Sequence, residues 1–243
     1  MLDFSDPKKK ILNLRSSHLS PSLSVAYGDV NPLLIVKGDK QYLYDEKGTA
    51  YLDCVNNVCH VGHCHPTVVK ATNEQLSKLN TNTRYLHPNI AMYAKKLTST
   101  FPEPLKHVIF VNSGTEANEL AIRMAQAYHN HNKKDILSVE HGYHGHSTTL
   151  VSISSYKLQD QPRQPLPIPE STHILPMPDM FRGKYNMRNC KSEEEICDHY
   201  INELKTFLER SRQRDKIGTF ILESINGCGG QVVYPKNYLL RGF

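Results

Sequence analysis

Long apolar runs are missing from these 243 residues, and so is any block of charge gathered in one place. No stretch approaches the ~18 consecutive apolar residues that a membrane-spanning helix needs. Mean hydropathy is −0.50, and a helical membrane span is excluded. Basic residues number 29 against 24 acidic ones, a formal net charge of +5 with His neutral. The excess is spread along the chain, with short runs only at Lys8–Lys10 and from Arg210 to Lys216. A nucleic-acid surface collects its cations into one stripe with interleaved aromatics, and no such stripe exists here. The balance reads instead as a solvated surface that mildly favours anionic ligands. With 39% hydrophobic and 22% charged residues, collagen, coiled coil and wholesale disorder are excluded as well. The length is enough for a substantial core without disulfide or metal staples.

A secretory leader is not expected either, because residues 1–24 show neither an apolar h-region nor a small-residue cleavage site. Residues 1–24 are polar and read as an arm or a short amphipathic helix. Their basic, Ser-containing patch from Lys8 to His18 resembles a mitochondrial transit peptide, which Asp3 and Asp6 oppose. The six cysteines, at 54, 59, 64, 190, 197 and 228, are therefore expected to be reduced, intracellular thiols. Mitochondrial matrix and cytoplasm both stay open.

What is present is an alternation of strands and helices. Leu33–Val36, Gln41–Tyr44 and Thr49–Leu52 read as short strands, with turn chemistry in Asp45-Glu46-Lys47-Gly48. Pro66–Leu79 and Ile90–Thr100 read as helices. From His107 the pattern becomes regular. His107–Val111 is a continuous apolar run of strand length, followed by a helix over Thr115–Tyr128. That helix has Ala117, Leu120, Ala121, Met124, Ala125 and Tyr128 at helical spacing. Ile136–Val139 and Ile217–Leu222 are further buried strands, and the Pro-containing stretch Pro162–Pro178 reads as a loop. Ser192 and Glu195 form a capping box for a helix with Ile196, Tyr200, Ile201, Leu204, Phe207 and Leu208 on one face. Its acidic start at Glu193–Glu195 and basic end at Arg210 and Arg212 suit the macrodipole. The pattern predicts an α/β fold built on a mainly parallel sheet.

Four stretches carry chemistry. The strongest is Val111-Asn112-Ser113-Gly114-Thr115-Glu116-Ala117-Asn118 at a strand-to-helix junction. The first helical turn leaves N–H groups unpaired at a positive dipole end, which suits a phosphate. Gly114 allows close approach, and Ser113 and Thr115 add hydroxyls. An ordinary N-cap, with Ser113 and Glu116 as a capping box, explains the same residues. Neither Gly-Lys-Ser/Thr nor a dinucleotide fingerprint is present, so the phosphate belongs to something smaller than a nucleotide. The second stretch is His141-Gly142-Tyr143-His144-Gly145-His146, just past a strand, where ligands of open α/β sheets sit. An aromatic there can lie flat on a planar ring. Its three histidines lack the pairing of a metal site.

The third is Asn56–Pro66, where Cys59, His60, His63, Cys64 and His65 crowd together. Their alternation is too tight for a zinc site with separated ligand pairs, and a hydrogen-bonded turn entering the next helix is the better reading. No metal is assigned, although a metal-binding module on Cys59, His60, His63 and His65 is an alternative. The fourth is Glu223–Gly230, a carboxylate at a strand end before a Gly-rich loop; a plain surface turn would also account for it.

Together these stretches resemble the class III pyridoxal-phosphate-dependent aminotransferases of fold type I, from about residue 30 to 239. Gly-His-Cys-His-Pro at 62–66, Asn-Ser-Gly-Thr-Glu-Ala-Asn at 112–118, Tyr-His-Gly-His at 143–146, and Glu-Ser at 223–224 with Cys-Gly-Gly-Gln at 228–231 follow the family's order. The chain looks most like the alanine–glyoxylate aminotransferase 2-like subgroup, which includes ethanolamine-phosphate and 5-phosphohydroxylysine phospho-lyases. Supporting stretches are Asn56–Pro66, Asn80–His87, Ser155–Lys157 and Pro178–Tyr185. The resemblance implies a sheet with helices on both faces. Residues 1–55 would form an N-terminal arm and small-domain segment, and residues 56–243 the first part of the cofactor-binding large domain.

It further implies pyridoxal 5'-phosphate as cofactor, held by Ser113, Gly114 and Thr115. Tyr143 would stack on the ring, with His144 beside it, and Glu223 would sit near the acid that pairs with the pyridine nitrogen. Asn57, His60, Arg84 and Tyr85 would lie near the substrate mouth. The implied reaction is β-elimination of phosphate from a phosphorylated amine or amino acid, by a homodimer, giving an aldehyde and ammonia. Transamination is the alternative, as is a non-catalytic partner of a full-length homologue. The family's Schiff-base Lys and its Asp-Glu-Val-Gln-like acid are not matched. Asp179, Asp198 and Asp215 lack strand-end context, and Tyr234-Pro235-Lys236-Asn237 replaces the usual Pro-Pro-x-Gly. A truncated, inactive product that exposes an unpaired sheet edge is therefore expected.

Overall fold

Asp45 organises the first hairpin. Its Oδ1 accepts the N–H groups of Lys47 and Thr49 at 2.9 and 2.8 Å, and its Oδ2 accepts the Tyr51 hydroxyl at 3.0 Å. Burial alone would raise its pKa, but these hydrogen bonds outweigh that and hold the carboxyl below its ordinary value. Gly48 takes φ +83° in the same turn, a conformation that suits glycine. The hairpin joins Tyr42–Asp45 (β2) to Ala50–Leu52 (β3), and Ile35–Asp39 (β1) completes an antiparallel meander in the order β1-β2-β3. This computed structural model describes residues 7–55, 58–156, 168–210 and 213–242. Asn57, Lys157 and the segment 162–167 of the expected loop lie outside the described residues.

The structure divides into two compact units, Met1–Tyr93 and Ala94–Phe243. The first holds the meander with α1 (Pro7–His18), α2 (Pro66–Leu76) and the start of α3 (Pro88–Thr98). None of these helices has a fully buried residue. The Cys/His stretch forms the expected turn. Gly62 has φ +85° and donates its N–H to the Cys59 carbonyl, His63 and Lys40 exchange backbone hydrogen bonds, and Pro66 opens α2. The His63 ring turns to Asp53, with Nε2 and Oδ2 2.7 Å apart. Among the described residues no group of three or more His, Cys, Asp or Glu is placed to hold a metal.

In the second unit three strands pair in parallel, Asp135–Val139 (β4) lying between Thr172–Leu175 (β5) and Ile217–Phe220 (β6). The apolar run of β4 is buried because both of its faces are covered. Ile136 packs with Ile122 of α4 (Gly114–Tyr128) and with Leu150 and Ile153 of α5 (Thr148–Ile153). Its neighbour Leu137 points the other way, to Leu175 and to Leu204 of α6 (Glu193–Arg210). Side chains buried like these each contribute about 1.5–3 kcal/mol. Helix α6 begins at the expected capping box, the Glu195 N–H donating to Ser192 Oγ at 3.1 Å. Its Ile196, Cys197, Tyr200 and Ile201 close a second cluster with Val232, Tyr234 and Tyr238 of α7 (Tyr238–Gly242).

Four expectations need correction. His107–Val111 is in no strand, and its Ile109 is 60% exposed where the expected strand would be buried. Thr172–Leu175, expected as loop, is strand β5, because parallel pairing with β4 overrides the proline-rich context. Helix α4 buries Ile122 rather than the 117/121/124/128 side, so Met124 and Tyr128 remain 54% and 84% exposed. Asp179 has strand-end context after all, four residues past β5 and 4% exposed. Among the described residues no helix is long and apolar enough to cross a membrane.

Candidate functional site

Strand β4 ends at Val139 and delivers the chain to Glu140–Ser147, at the end of a parallel sheet where ligands collect. Facing this segment is the start of α4. Ser113 caps it, accepting the Glu116 N–H at 3.1 Å, while Glu116 Oε2 reaches back to the Asn112 N–H at 2.7 Å. The Ser113 cap of the expected capping box is therefore made, while Glu116 bonds the Asn112 N–H rather than that of Ser113. The cap leaves the N–H groups of Gly114 and Thr115 with no acceptor among the described residues. A Cβ on Gly114 would meet nothing within 4 Å. The helix start is thus both capped and open, with two free donors at the positive end of a 15-residue helix.

The 142–146 turn is tied to that helix start. Thr115 Oγ1 accepts the His146 N–H at 3.3 Å, and Asn118 Nδ2 donates to the His144 carbonyl at 2.7 Å. Gly145 has φ +135°, and a Cβ there would come within 2.6 Å of Leu150 Cδ1 and 2.8 Å of Thr115 Oγ1. The glycine is what lets the turn lie on α4. His144 donates its N–H to Ser154 Oγ at 2.9 Å, and Ser154 passes a hydrogen bond to the Leu150 carbonyl. His144 is 4% exposed, and its ring Nε2 has no hydrogen-bond partner among the described residues. Burial pushes its pKa down to about 4, so the ring is neutral at physiological pH.

Tyr143 sits between these anchors, its ring partly exposed and edge-on to Tyr156 at 5.4 Å. Glu223, just past β6, reaches across to it. Glu223 Oε1 accepts the Tyr143 N–H at 2.9 Å, and Oε2 accepts the Gly227 N–H at 3.0 Å. The second unit therefore brings Ser113, Gly114, Thr115, Tyr143, His144 and Glu223 into one hydrogen-bonded assembly. His60, Arg84 and Tyr85 belong to the first unit. His60 and Arg84 are exposed, the Arg84 N–H donating to Asn82 Oδ1 at 2.9 Å. Tyr85 is 70% exposed beside a hollow that Gln75 and Asn89 also line.

Over residues 24–241 the sequence matches the model of the class-III aminotransferases. The chain belongs to that family. A curated relative in Drosophila melanogaster, alanine–glyoxylate aminotransferase 2-like, is 38% identical over 95% of this chain and 46% of its own length. Ethanolamine-phosphate phospho-lyase homolog 1 of Caenorhabditis elegans is 37% identical over 95% of this chain and 50% of its own. A solved phospholyase from Arthrobacter, in complex with phosphoethanolamine, superposes with a TM-score of 0.78 at 27% identity, covering 96% of this chain and 52% of that one. The chain thus spans about half the length of the relatives it matches.

Sequence reasoning missed the supports of this assembly. Asn226 is fully buried; its Nδ2 donates to the Glu140 carbonyl at 3.0 Å, and its Oδ1 accepts the Gly229 N–H at 3.2 Å. Asn118 and Ser154 do similar work on α4 and α5. Asn118 and Asn226 lie inside the quoted motifs, where a polar side chain on an otherwise buried stretch is the only signal of such a role.

Proposed function

We propose that the full-length protein is a pyridoxal-phosphate-dependent phospho-lyase, and that this chain provides the cofactor's phosphate seat and ring support. The free N–H groups of Gly114 and Thr115, beside the partly exposed Tyr143, carry the reading. The residues fit the cofactor: an open, positive helix start matches a phosphate monoester, and an aromatic ring held from behind matches a flat heterocycle. Bound there, the cofactor supplies an electron sink for the carbanion left by removal of an α-proton. Gly114, Thr115 and the Ser113 hydroxyl would grip its phosphate, and Tyr143 would cover one face of its ring. Glu223 acts through the backbone, fixing Tyr143 and Gly227 rather than presenting a free carboxylate. His144 works from behind the plate, as a neutral wedge between the turn and α5.

The substrate class is a phosphorylated amine or amino acid, which loses phosphate and yields an aldehyde and ammonia. The names of the nematode relative and of the phosphoethanolamine complex support it. We assign the Schiff-base Lys and the acid for the pyridine nitrogen to the part of the family's length that these 243 residues do not span. The homodimer belongs to the same reading. Equilibrium dialysis of the chain tests the cofactor seat: pyridoxal phosphate is retained, while pyridoxal and AMP are not. Tyr143→Ala lowers retention. Equal retention of pyridoxal, or none of either, sinks the assignment.

A further inference from the structure

Next to the Tyr143 turn lies a second hollow, of about 470 Å³, lined by Glu140, His141, Asp179, Arg182, Lys184 and Cys228 among others. It opens at the ends of β4 and β5, and its volume suits a small ligand. Most charges around it are already engaged. Asp179 Oδ1 accepts the N–H groups of Phe181 and Arg182 at 2.8 and 3.0 Å, and its Oδ2 accepts Arg182 Nε at 3.1 Å. Lys184 Nζ is bonded to Glu203. Glu140 Oε2 accepts the Met177 N–H at 3.1 Å.

Arg182 differs. It uses only Nε on Asp179, and its two terminal amino groups donate to nothing among the described residues. The loop around it is built to hold that pose. Gly183 sits where a Cβ would come within 2.2 Å of the Tyr200 hydroxyl, and Tyr185 donates its N–H to that hydroxyl at 3.2 Å. Across the hollow, Gly230 has φ +110°, and a Cβ there would stand 2.8 Å from an Arg182 terminal nitrogen. The Gly-rich loop after Glu223 thus lies against a guanidinium that is oriented through Nε on Asp179, 61% exposed, and open at both terminal nitrogens, an arrangement that can bind an oxyanion through two N–H groups.

We propose that this hollow seats the phosphate monoester of the substrate, with Arg182 as the residue that grips it. The assignment deepens the phospho-lyase reading and rests on it. A carboxylate could use the same fork, so the test must separate the two anions. Binding to the 243-residue chain is followed by ³¹P line broadening for phosphoethanolamine and inorganic phosphate, and by calorimetry for ethanolamine and alanine. Phosphoethanolamine and phosphate bind, while ethanolamine and alanine do not. Arg182→Gln weakens phosphoethanolamine binding about tenfold or more, and Arg182→Lys recovers part of it. Arg188→Gln leaves it unchanged, because that guanidinium lies over the Phe181 ring and does not line the hollow. Circular dichroism confirms that the variants are folded.

The proposal is overturned if Arg182→Gln binds phosphoethanolamine like the parent, if Arg188→Gln weakens it as much, or if alanine competes equally. Absence of phosphoethanolamine binding to the parent chain overturns it too. The cofactor reading is judged separately, by dialysis of the same proteins against pyridoxal phosphate. Loss of phosphoethanolamine with the cofactor retained in Arg182→Gln supports both assignments. Arg182-dependent phosphoethanolamine binding in a chain that never retains the cofactor supports the anion seat and sinks only the cofactor reading.

Discussion

Glu223 holds Tyr143 from 80 residues away, through a 2.9 Å hydrogen bond between a carboxylate oxygen and a backbone N–H. The contact ties the loop after β6 to the loop after β4, so the aromatic plate is placed by the sheet and not by its own turn alone. Glu223→Ala removes the acceptors for both Tyr143 and Gly227. Retention of pyridoxal phosphate should fall about tenfold, the equivalent of one charge-assisted hydrogen bond. Glu223→Gln keeps one carbonyl acceptor and should lose less. Parallel dialysis of the three proteins checks the ranking; equal retention in all of them removes Glu223 from the site.

His144 makes stability depend on pH. Its ring is neutral in the folded chain down to about pH 4, whereas the ordinary value is 6.5. Between those limits the unfolded chain binds more protons than the folded one, so stability is lost as pH falls through that window. The full shift corresponds to about 3 kcal/mol. Urea unfolding at pH 7.0 and pH 4.5 should show the difference, and His144→Gln should flatten it. An unchanged slope in the variant would assign the acid sensitivity elsewhere.

Asn226→Leu keeps the volume and removes the bonds to Glu140 and Gly229. Both backbone groups then lose their partner in a half-buried loop, which costs about 1 kcal/mol each. The midpoint of urea unfolding should fall accordingly. A variant as stable as the parent would mean that the Gly-rich loop does not depend on this side chain.

Local chemistry was legible from the sequence wherever it decides structure by itself. The Ser113 and Ser192 caps, the Asp45–Gly48 turn and the apolar face of α6 could be read directly. The resemblance to the family implied the grouping of Ser113, Thr115, Tyr143 and Glu223, and the structure brings them together, two at the start of α4 and two past the ends of β4 and β6. Pairing was harder to read. Thr172–Leu175 becomes a strand only because β4 lies beside it, and His107–Val111 belongs to neither sheet. Periodicity in α4 likewise predicted an apolar side, whereas Ile122 shows that the sheet chose another. Asn237 replaces the family's usual glycine and takes φ +66°, a left-handed conformation that Asn tolerates better than most residues. The substitution changes the residue and keeps the turn.

Two neighbouring glycines should separate binding from folding. Gly145 is confined by Leu150 and Thr115 at φ +135°. Leu150 can move its methyl, but Thr115 Cα, 3.2 Å from the new Cβ, belongs to the helix backbone. Gly145→Ala should therefore destabilise the fold by about 1–3 kcal/mol and lose cofactor with it. Gly114 has neither constraint. An alanine there raises helix propensity by up to about 1 kcal/mol, so Gly114→Ala should be as stable as the parent or slightly more so. Its methyl nevertheless enters the open space at the start of α4, and retention of pyridoxal phosphate should drop severalfold. Thermal melts and dialysis on the two variants decide the matter, and a Gly114→Ala chain that retains the cofactor like the parent would mean that the phosphate sits somewhere other than on this helix.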